Sequence, residues 1–179
     1  MPWTLNGQKL LHCTGRMTAP EALVSVTNLA TPCNIAVAGG FLLGMLVNIR
    51  GSVPKDSQRF DVNFLCGGDR KNEIAFHFKA LFSENKDGIV FNSKLNKEWG
   101  QEEERCSSPF RKGKSFLLQF VITKNGYQVI VDNKPFYEYS HRIPIEQVKI
   151  LQVTWPVELQ QIEIFKDSNI SSSTSSETK

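Results

Sequence analysis

Apolar and polar residues alternate through most of the middle of the chain. A period of two sends successive side chains to opposite faces of a strand, so each such run predicts a β-strand with one buried face. We expect about ten short strands and no long helix, apart from one helical turn at residues 145–148 after Pro144. The apolar rows are Phe60, Val62 and Phe64; Ile74, Phe76 and Phe78; Phe116, Leu118, Phe120 and Ile122; Tyr127, Val129 and Val131; and the runs 148–153 and 159–165.

The turns between these runs favour antiparallel pairing. Asn125-Gly126 lies between two alternating runs and predicts a hairpin with a type I′ turn, which needs a positive φ at both central residues. Residues 132–134 predict the next turn. Many short strands with closely spaced turns predict an all-β sandwich or barrel. Two sheets closed over one core would bury the Phe rows and leave one outer face free for a ligand.

The two ends of the chain differ from this pattern. Residues 1–34 show no sustained period, so we predict an N-terminal extension that is irregular or adds a strand. Residues 35–165 form the predicted folded domain. Residues 166–179 have almost no apolar side chain and predict a disordered Ser-rich tail.

Composition narrows the class of protein. The 179 residues carry a net charge of +3 with scattered basic residues, which does not favour nucleic acid as a partner. The apolar stretch 35–47 contains three glycines and is too short to span a bilayer, and the N-terminus does not resemble a secretory signal. We therefore expect a soluble, cytoplasmic protein with no membrane insertion. Its four cysteines should be reduced, with Cys66 in the core and no metal site.

A set of polar groups and one large aromatic side chain begins within the strand 74–78 and continues after it. His77 and Lys79 are out of phase with Phe76, so they should lie on the outer face of the sheet. Three further candidates are Asn92, near the end of the next strand, Trp99, in a polar loop, and Glu102.

These side chains suit a sugar, because hydroxyls need donors and acceptors while the sugar's C–H patch packs on an aromatic ring. Two alternatives stay open. The set can be a solvated polar face, since outward positions of a one-sided sheet are usually polar. The run Glu102–Glu104 can also suggest a glycosidase, although an exposed acidic run normally keeps ordinary pKa values and we expect no catalysis.

The order F-x-V-x-F, H-F-x-x-x-F, V-x-N-S, W-G-x-E-E and PF, followed by Y-Q-V-I-V-D-N and Y-S-H-R-I, resembles a galectin carbohydrate-recognition domain over roughly residues 39–165. The resemblance implies a jelly-roll sandwich of five- and six-stranded sheets with a β-galactoside groove on its concave face. It also implies no cofactor, no metal, glycans or glycoproteins as partners, export without a signal peptide, and room for a homodimer. The strand end His141–Ile143 is interpreted as structural and distant from the sugar motifs.

The sugar-binding motif departs from the family pattern at four positions. The family H-x-N-P-R is matched at His77, whereas Lys79, Ala80 and Leu81 replace its Asn, Pro and Arg. The family W-x-x-E-x-R is matched at Trp99 and Glu102, but Glu104 replaces its Arg, and Asn92 matches the family Asn. Because His, Asn and Arg of the first motif hold the axial 4-hydroxyl of galactose in this family, the resemblance implies weakened lactose binding. Two functions therefore remain: a galectin-type lectin, and a galectin-fold interaction module that has lost lactose binding.

Overall fold

The computed structural model describes residues 20–154 and 156–166, which form thirteen β-strands and two short 3₁₀ helices. The 3₁₀ helices span Gly68–Arg70 and Ile145–Gln147, and the second confirms the helical turn predicted after Pro144. The strands are β1 Ala22–Thr27, β2 Cys33–Ala36, β3 Leu46–Ser52, β4 Arg59–Cys66, β5 Ile74–Phe82, β6 Asp87–Leu95, β7 Glu98–Trp99, β8 Glu103–Arg105, β9 Ser115–Ile122, β10 Gly126–Val131, β11 Lys134–Ser140, β12 Val148–Thr154 and β13 Glu158–Phe165.

The strands form two antiparallel sheets, which confirms the predicted sandwich. The six-stranded sheet has the order β1-β13-β3-β9-β10-β11. The seven-stranded sheet has the order β2-β12-β4-β5-β6-β7, and β8 also pairs with β6. The short strands β7 and β8 lie along the same edge of β6, one after the other. Each sheet therefore has one strand more than the five- and six-stranded arrangement that the family resemblance implied, and the split edge accounts for one of these two extra strands.

The core between the sheets consists of the predicted Phe rows. Phe64, Phe76 and Phe78 from the seven-stranded sheet and Phe120 and Tyr127 from the six-stranded sheet are fully buried. Their rings make close contacts across the interface, with centroids 4.6 Å apart for Phe76 and Tyr127. Because the Phe residues of β5 point inward, the alternate residues of this strand must point to the outer face.

The predicted domain boundary at residue 35 differs from the structure. Strand β1 and the first residues of β2 fall within the segment 1–34, which was expected to be irregular or to add a strand. Strand β1 belongs to the six-stranded sheet because Val24 and Val26 alternate with polar residues and pair with Ile164 and Ile162 of β13. The remaining part of the extension, residues 1–19, and the predicted tail from residue 167 onward lie outside the described residues.

The hairpin between β9 and β10 forms as predicted, but its turn is not type I′. Neither Asn125 nor Gly126 has a positive φ, and the turn closes through the Thr123 N–H, which donates to the Gly126 carbonyl at 2.9 Å. Glycine is needed at 126 for a different reason, since a Cβ there would collide with the Tyr139 carbonyl. The paired positive φ values occur in the next turn, at Asp132 (48°) and Asn133 (64°).

Two further expectations concern the described residues. Cys66 lies in the core, as predicted, and burial raises the pKa of its thiol. Among residues 20–154 and 156–166, no helix has the length and apolar character needed to cross a membrane.

Candidate functional site

The outer face of the seven-stranded sheet carries a row of polar side chains centred on His77. His77 of β5 is directly opposite Asn63 on β4 and Asn92 on β6. These three residues are buried, with 7%, 6% and 4% of their surface exposed. Burial of three polar side chains on a face that points away from the core distinguishes this row from an ordinary solvated surface.

Hydrogen bonds link the row across four strands. The Asn63 side-chain N–H donates to Gln152 Oε1 at 2.9 Å, and Gln152 donates in turn to Asn34 Oδ1 at 2.9 Å. On the other side, Asn63 Oδ1 contacts His77 Nδ1 at 2.5 Å. Since the Asn63 oxygen can only accept, His77 carries its proton on Nδ1 and leaves Nε2 as an acceptor. The strands β2, β12, β4 and β5 therefore present a fixed chain of donors and acceptors.

His77 is held in its neutral form. Burial lowers the pKa of His77 to about 4, and the positive charges of Lys79 and Arg59 contribute to the same shift. At neutral pH the imidazole consequently serves as a hydrogen-bonding group without charge. A neutral imidazole with a fixed tautomer is suited to binding a hydroxyl group.

Trp99 lies at one end of this row and is available to a ligand. Its ring centroid is 4.9 Å from that of His77, and 49% of the residue is exposed. Lys94, its partner on β6, places its ammonium 5.6 Å from the indole centroid. Trp99 belongs to the two-residue strand β7, and not to a loop as predicted, because it pairs with Lys94 at the edge of β6. An exposed indole beside buried polar groups offers one apolar surface and several hydrogen-bonding groups to the same ligand.

Asn92 is on the same face, but its side chain already forms hydrogen bonds with other residues of the protein. Its amide N–H donates to the Gly100 carbonyl at 2.9 Å. Its Oδ1 accepts from Arg142 Nη1 at 3.1 Å and from the Ser93 N–H at 2.8 Å. Asn92 therefore fixes the backbone next to Trp99, whatever further bond it offers to a ligand.

A second row beside His77 carries the charges of this face. Lys79 is directly opposite Asp61 on β4, and Arg59 is directly opposite Leu81. Arg59 Nη2 is 3.1 Å from Asp61 Oδ2, and the Asp61 side chain is almost fully buried. Burial raises the pKa of Asp61, while Arg59 and Lys79 oppose that rise. A guanidinium thus lies across from the position where Leu81 replaces the Arg of the family motif.

The acidic run at 102–104 is distributed among three environments. Glu102 is exposed and makes no hydrogen bond or ion pair with the other described residues. Glu103 Oε2 is 3.3 Å from Arg142 Nη2, and Glu104 Oε1 is 3.1 Å from Lys86 Nζ. The run was expected on an exposed loop, whereas Glu103 and Glu104 lie on strand β8, where each stays partly exposed and forms an ion pair with a basic partner.

The structure thus brings His77, Lys79, Asn92 and Trp99 together on one face, whereas Glu102 has no described contact with them. Sequence reasoning missed Asn63 and Gln152, although both fall at outward positions of predicted strands. It also missed Arg59 and Asp61 and treated the segment around Arg142 as distant. No sequence signal reveals Arg142, since its partner Asn92 is 50 residues away along the chain. Only the register of β4 against β5 places Arg59 and Asp61 next to the family motif.

This combination of a two-sheet antiparallel sandwich with an exposed indole beside a polar outer face defines a lectin-type β-sandwich. The sequence model of the galactoside-binding lectin family matches residues 32–164. The chain therefore belongs to this family, the galectins.

Individual relatives support the same assignment. The chain is 43% identical to mouse galectin-6 over 138 residues, which are 77% of this chain and 45% of that protein. It is 31% identical to human galectin-7 over 134 residues, which are 75% of this chain and 97% of that protein. The chain spans less than half the length of mouse galectin-6 and of rat galectin-4, whose matched share is 41%.

Solved structures agree with the fold. Sheep galectin-11 in complex with glycerol is 28% identical, with a TM-score of 0.69 over 76% of this chain and 99% of that chain. A single-substitution variant of human galectin-16 is also 28% identical, with a TM-score of 0.70 over 79% of this chain and 100% of that chain. The jelly-roll sandwich that the resemblance implied is therefore confirmed.

Proposed function

We propose that the protein binds β-galactosides or related glycans, without catalysis, on the outer face of the seven-stranded sheet. The observation that carries this proposal is the half-exposed Trp99 indole beside the neutral, buried His77. The apolar face of a sugar ring would stack on Trp99. Its hydroxyls would bond to His77 Nε2 and to the neighbouring groups of the polar row.

The charged row contains hydrogen-bond donors that would compensate for the departures from the family motif. Leu81 cannot donate a hydrogen bond, but Arg59 lies directly across from it on β4. Arg59 is half-exposed and its guanidinium is held by Asp61. Lys79, which replaces the family Asn, adds a second donor close enough to influence His77. Arg59 and Lys79 together would supply the donors that the family motif places at the Asn and Arg positions.

This proposal assigns the acidic run no catalytic part. Glu103 and Glu104 each form an ion pair, and Glu102 is exposed, so none of them lies in the buried apolar pocket that a carboxylic acid needs to act as a general acid. Incubation with aryl β-galactosides should release no phenol. Steady release that is lost in Glu102→Gln would replace the lectin proposal with a glycosidase.

The experiment for the lectin proposal is retention on a lactosyl resin, with elution by free lactose. The wild-type protein should be retained and should elute with lactose but not with maltose, whereas Trp99→Ala should pass through. Arg50→Met is a matched control, because Arg50 is exposed on β3 in the other sheet. Retention that lactose cannot compete would contradict the proposal and would favour the interaction module without lactose binding.

The cellular location and assembly state are part of the same proposal. We infer a cytoplasmic protein that also reaches glycoproteins outside the cell by unconventional secretion. Glycoprotein ligands would be bound by single domains or by a homodimer. Detection of the protein in conditioned medium while the secretory pathway is blocked would test the first point, and sedimentation would test the second.

A further inference from the structure

We infer that Arg142 is a positioning residue for the sugar site, which clamps the short edge strand that carries Trp99. The expected effect of Arg142 on glycan affinity rests on the proposed function. The contacts of Arg142 that hold the edge strand do not depend on any ligand. Arg142 lies in the segment after β11, which belongs to the other sheet. Its guanidinium nevertheless reaches the elements on both sides of Trp99.

Three acceptors from three elements surround the guanidinium. Arg142 Nη1 donates to Asn92 Oδ1 on β6 at 3.1 Å. Nη2 donates to the Gln101 carbonyl at 2.8 Å and to Glu103 Oε2 on β8 at 3.3 Å. The guanidinium also lies 4.9 Å from the ring centroid of Tyr139. A planar fork with several donors can satisfy this arrangement, whereas a single ammonium cannot reach all three acceptors at once.

The clamped elements are those that hold Trp99. Strand β7 has only two residues and pairs with β6 alone, so its ladder provides few hydrogen bonds. The next residue, Gly100, is fixed by its N–H to the Ser93 carbonyl at 2.9 Å and by its carbonyl, which accepts from Asn92 at 2.9 Å. Arg142 completes this arrangement, because the same Asn92 side chain bonds to both Gly100 and Arg142.

The packing around Gly100 shows how tightly the clamp closes. A Cβ at this position would lie 2.8 Å from Arg142 Nη1 and 3.3 Å from Asn92 Oδ1. Arg142 also lines an open cavity of about 330 Å³ together with Leu95 and Trp99. Without the guanidinium, this cavity would widen beneath the edge strand, and the indole would lose its fixed position over His77.

Glu103 connects Arg142 to β8 of the seven-stranded sheet. Its Oε2 pairs with Arg142, and its Oε1 accepts from the Tyr137 hydroxyl of β11 at 3.0 Å. The Arg142–Glu103 pair therefore joins the end of β11 in the six-stranded sheet to β8 of the seven-stranded sheet. Preorganisation of this kind increases affinity by reducing the ordering that a ligand must otherwise impose.

The test compares Arg142→Met, Arg142→Lys and the matched control Arg50→Met in a Trp3→Phe/Trp155→Phe background. Two quantities are measured: acrylamide quenching of Trp99 fluorescence, and lactose affinity by isothermal titration. Arg142→Met should raise the quenching constant and raise the Kd about tenfold. Arg142→Lys should fall between wild type and Arg142→Met, because one ammonium can keep part of the contacts. Arg50→Met should match the wild type in both measurements.

Unchanged quenching and unchanged Kd in folded Arg142→Met would overturn the inference. If that variant fails to fold, Glu103→Gln provides the same test, since it removes the ion pair while keeping the shape of the side chain. A wild-type protein that shows no lactose binding would defeat the proposed function alone. The quenching experiment would then still decide whether Arg142 positions Trp99, because it needs no sugar.

Discussion

The outer faces of the two sheets both carry hydrogen-bonded pairs of polar residues from neighbouring strands, but the pairs differ in burial. On the six-stranded sheet, Asn48 of β3 and Gln119 of β9 form a hydrogen bond at 2.9 Å and remain partly exposed. On the seven-stranded sheet, Asn63 and His77 form an equivalent cross-strand pair and are buried. A half-exposed indole adjoins only the second of these pairs. Burial, and not polarity, is therefore the property that separates the proposed binding face from the outer face of the six-stranded sheet.

The burial of His77 should lower the stability of the folded protein at low pH. The pKa of His77 is lowered to about 4 in the folded state, against 6.5 for an unperturbed histidine. Between these values the unfolded state binds more protons, so stability falls as the pH drops from 6.5 to 4 and is unaffected by His77 above that range. The loss should reach about 3 kcal/mol.

Chemical denaturation across this pH range, for wild type and His77→Gln, measures the effect. The difference between the two proteins is the informative quantity, because the raised pKa of Asp61 acts in the opposite direction and is common to both. Curves that stay parallel from pH 7 to pH 4 would show that His77 is not desolvated, and the contrast between the two faces would fail.

Trp99→Ala should have the largest effect on binding. Removal of the indole deletes the apolar half of the site, and we expect lactose affinity to fall at least tenfold, an estimate of about 1.4 kcal/mol or more. Stability should change little, since the side chain is half-exposed. Isothermal titration and a melting curve measure both. Equal affinities in the two proteins would remove Trp99 from the site.

The double substitution Leu81→Arg with Glu104→Arg restores two arginines of the family motif on the outer face of the seven-stranded sheet. It should increase the difference in sugar binding between the two outer faces. We expect lactose affinity to rise about tenfold, because a guanidinium bond to a hydroxyl contributes roughly 1.5–3 kcal/mol, part of which Arg59 would supply under the proposed function. The control is Leu81→Gln with Glu104→Gln, which removes the acid and breaks its ion pair with Lys86 without adding a guanidinium. A gain of the same size in the control would assign the effect to charge alone.

Matched asparagine substitutions on the two faces should give the smallest effects. Asn63→Ala breaks a buried link to both His77 and Gln152 and should cost about 1–2 kcal/mol of stability and a few-fold in affinity. Asn48→Ala breaks one partly exposed hydrogen bond and should cost less than about 0.5 kcal/mol, with no change in affinity. Denaturant titration and isothermal titration of both variants measure these losses. Equal losses in the two variants would contradict the distinction drawn between the faces.

Periodicity predicted the strands because the Phe rows must be buried, whatever the details of the chain. The Asn125-Gly126 pair correctly predicted a hairpin but not its type of turn, because glycine is needed there beside Tyr139 and no positive φ is used. The pair Asn-Gly by itself does not show whether glycine is needed for a positive φ or for lack of space beside Tyr139.

The sheet face of a residue was predicted correctly where its phase along the strand decided it, as for His77 and Lys79. Prediction failed where long-range register decides the contact. Arg59 adjoins Leu81 only because β4 and β5 pair in one register, and Arg142 reaches Asn92 from the opposite sheet. Sequence analysis placed Arg142 far from the sugar motifs because the chain separates them, whereas the sandwich brings them to the same edge.

The central claim is that the indole of Trp99 and the polar row beside it form the sugar-binding surface. The most direct test is the ¹⁵N–¹H signal of the Trp99 indole, assigned by its loss in Trp99→Ala, during titration with lactose and with maltose. The account predicts a saturable shift with lactose and no comparable shift with maltose. An indole signal that does not move with lactose, or that moves equally with both sugars, would contradict it.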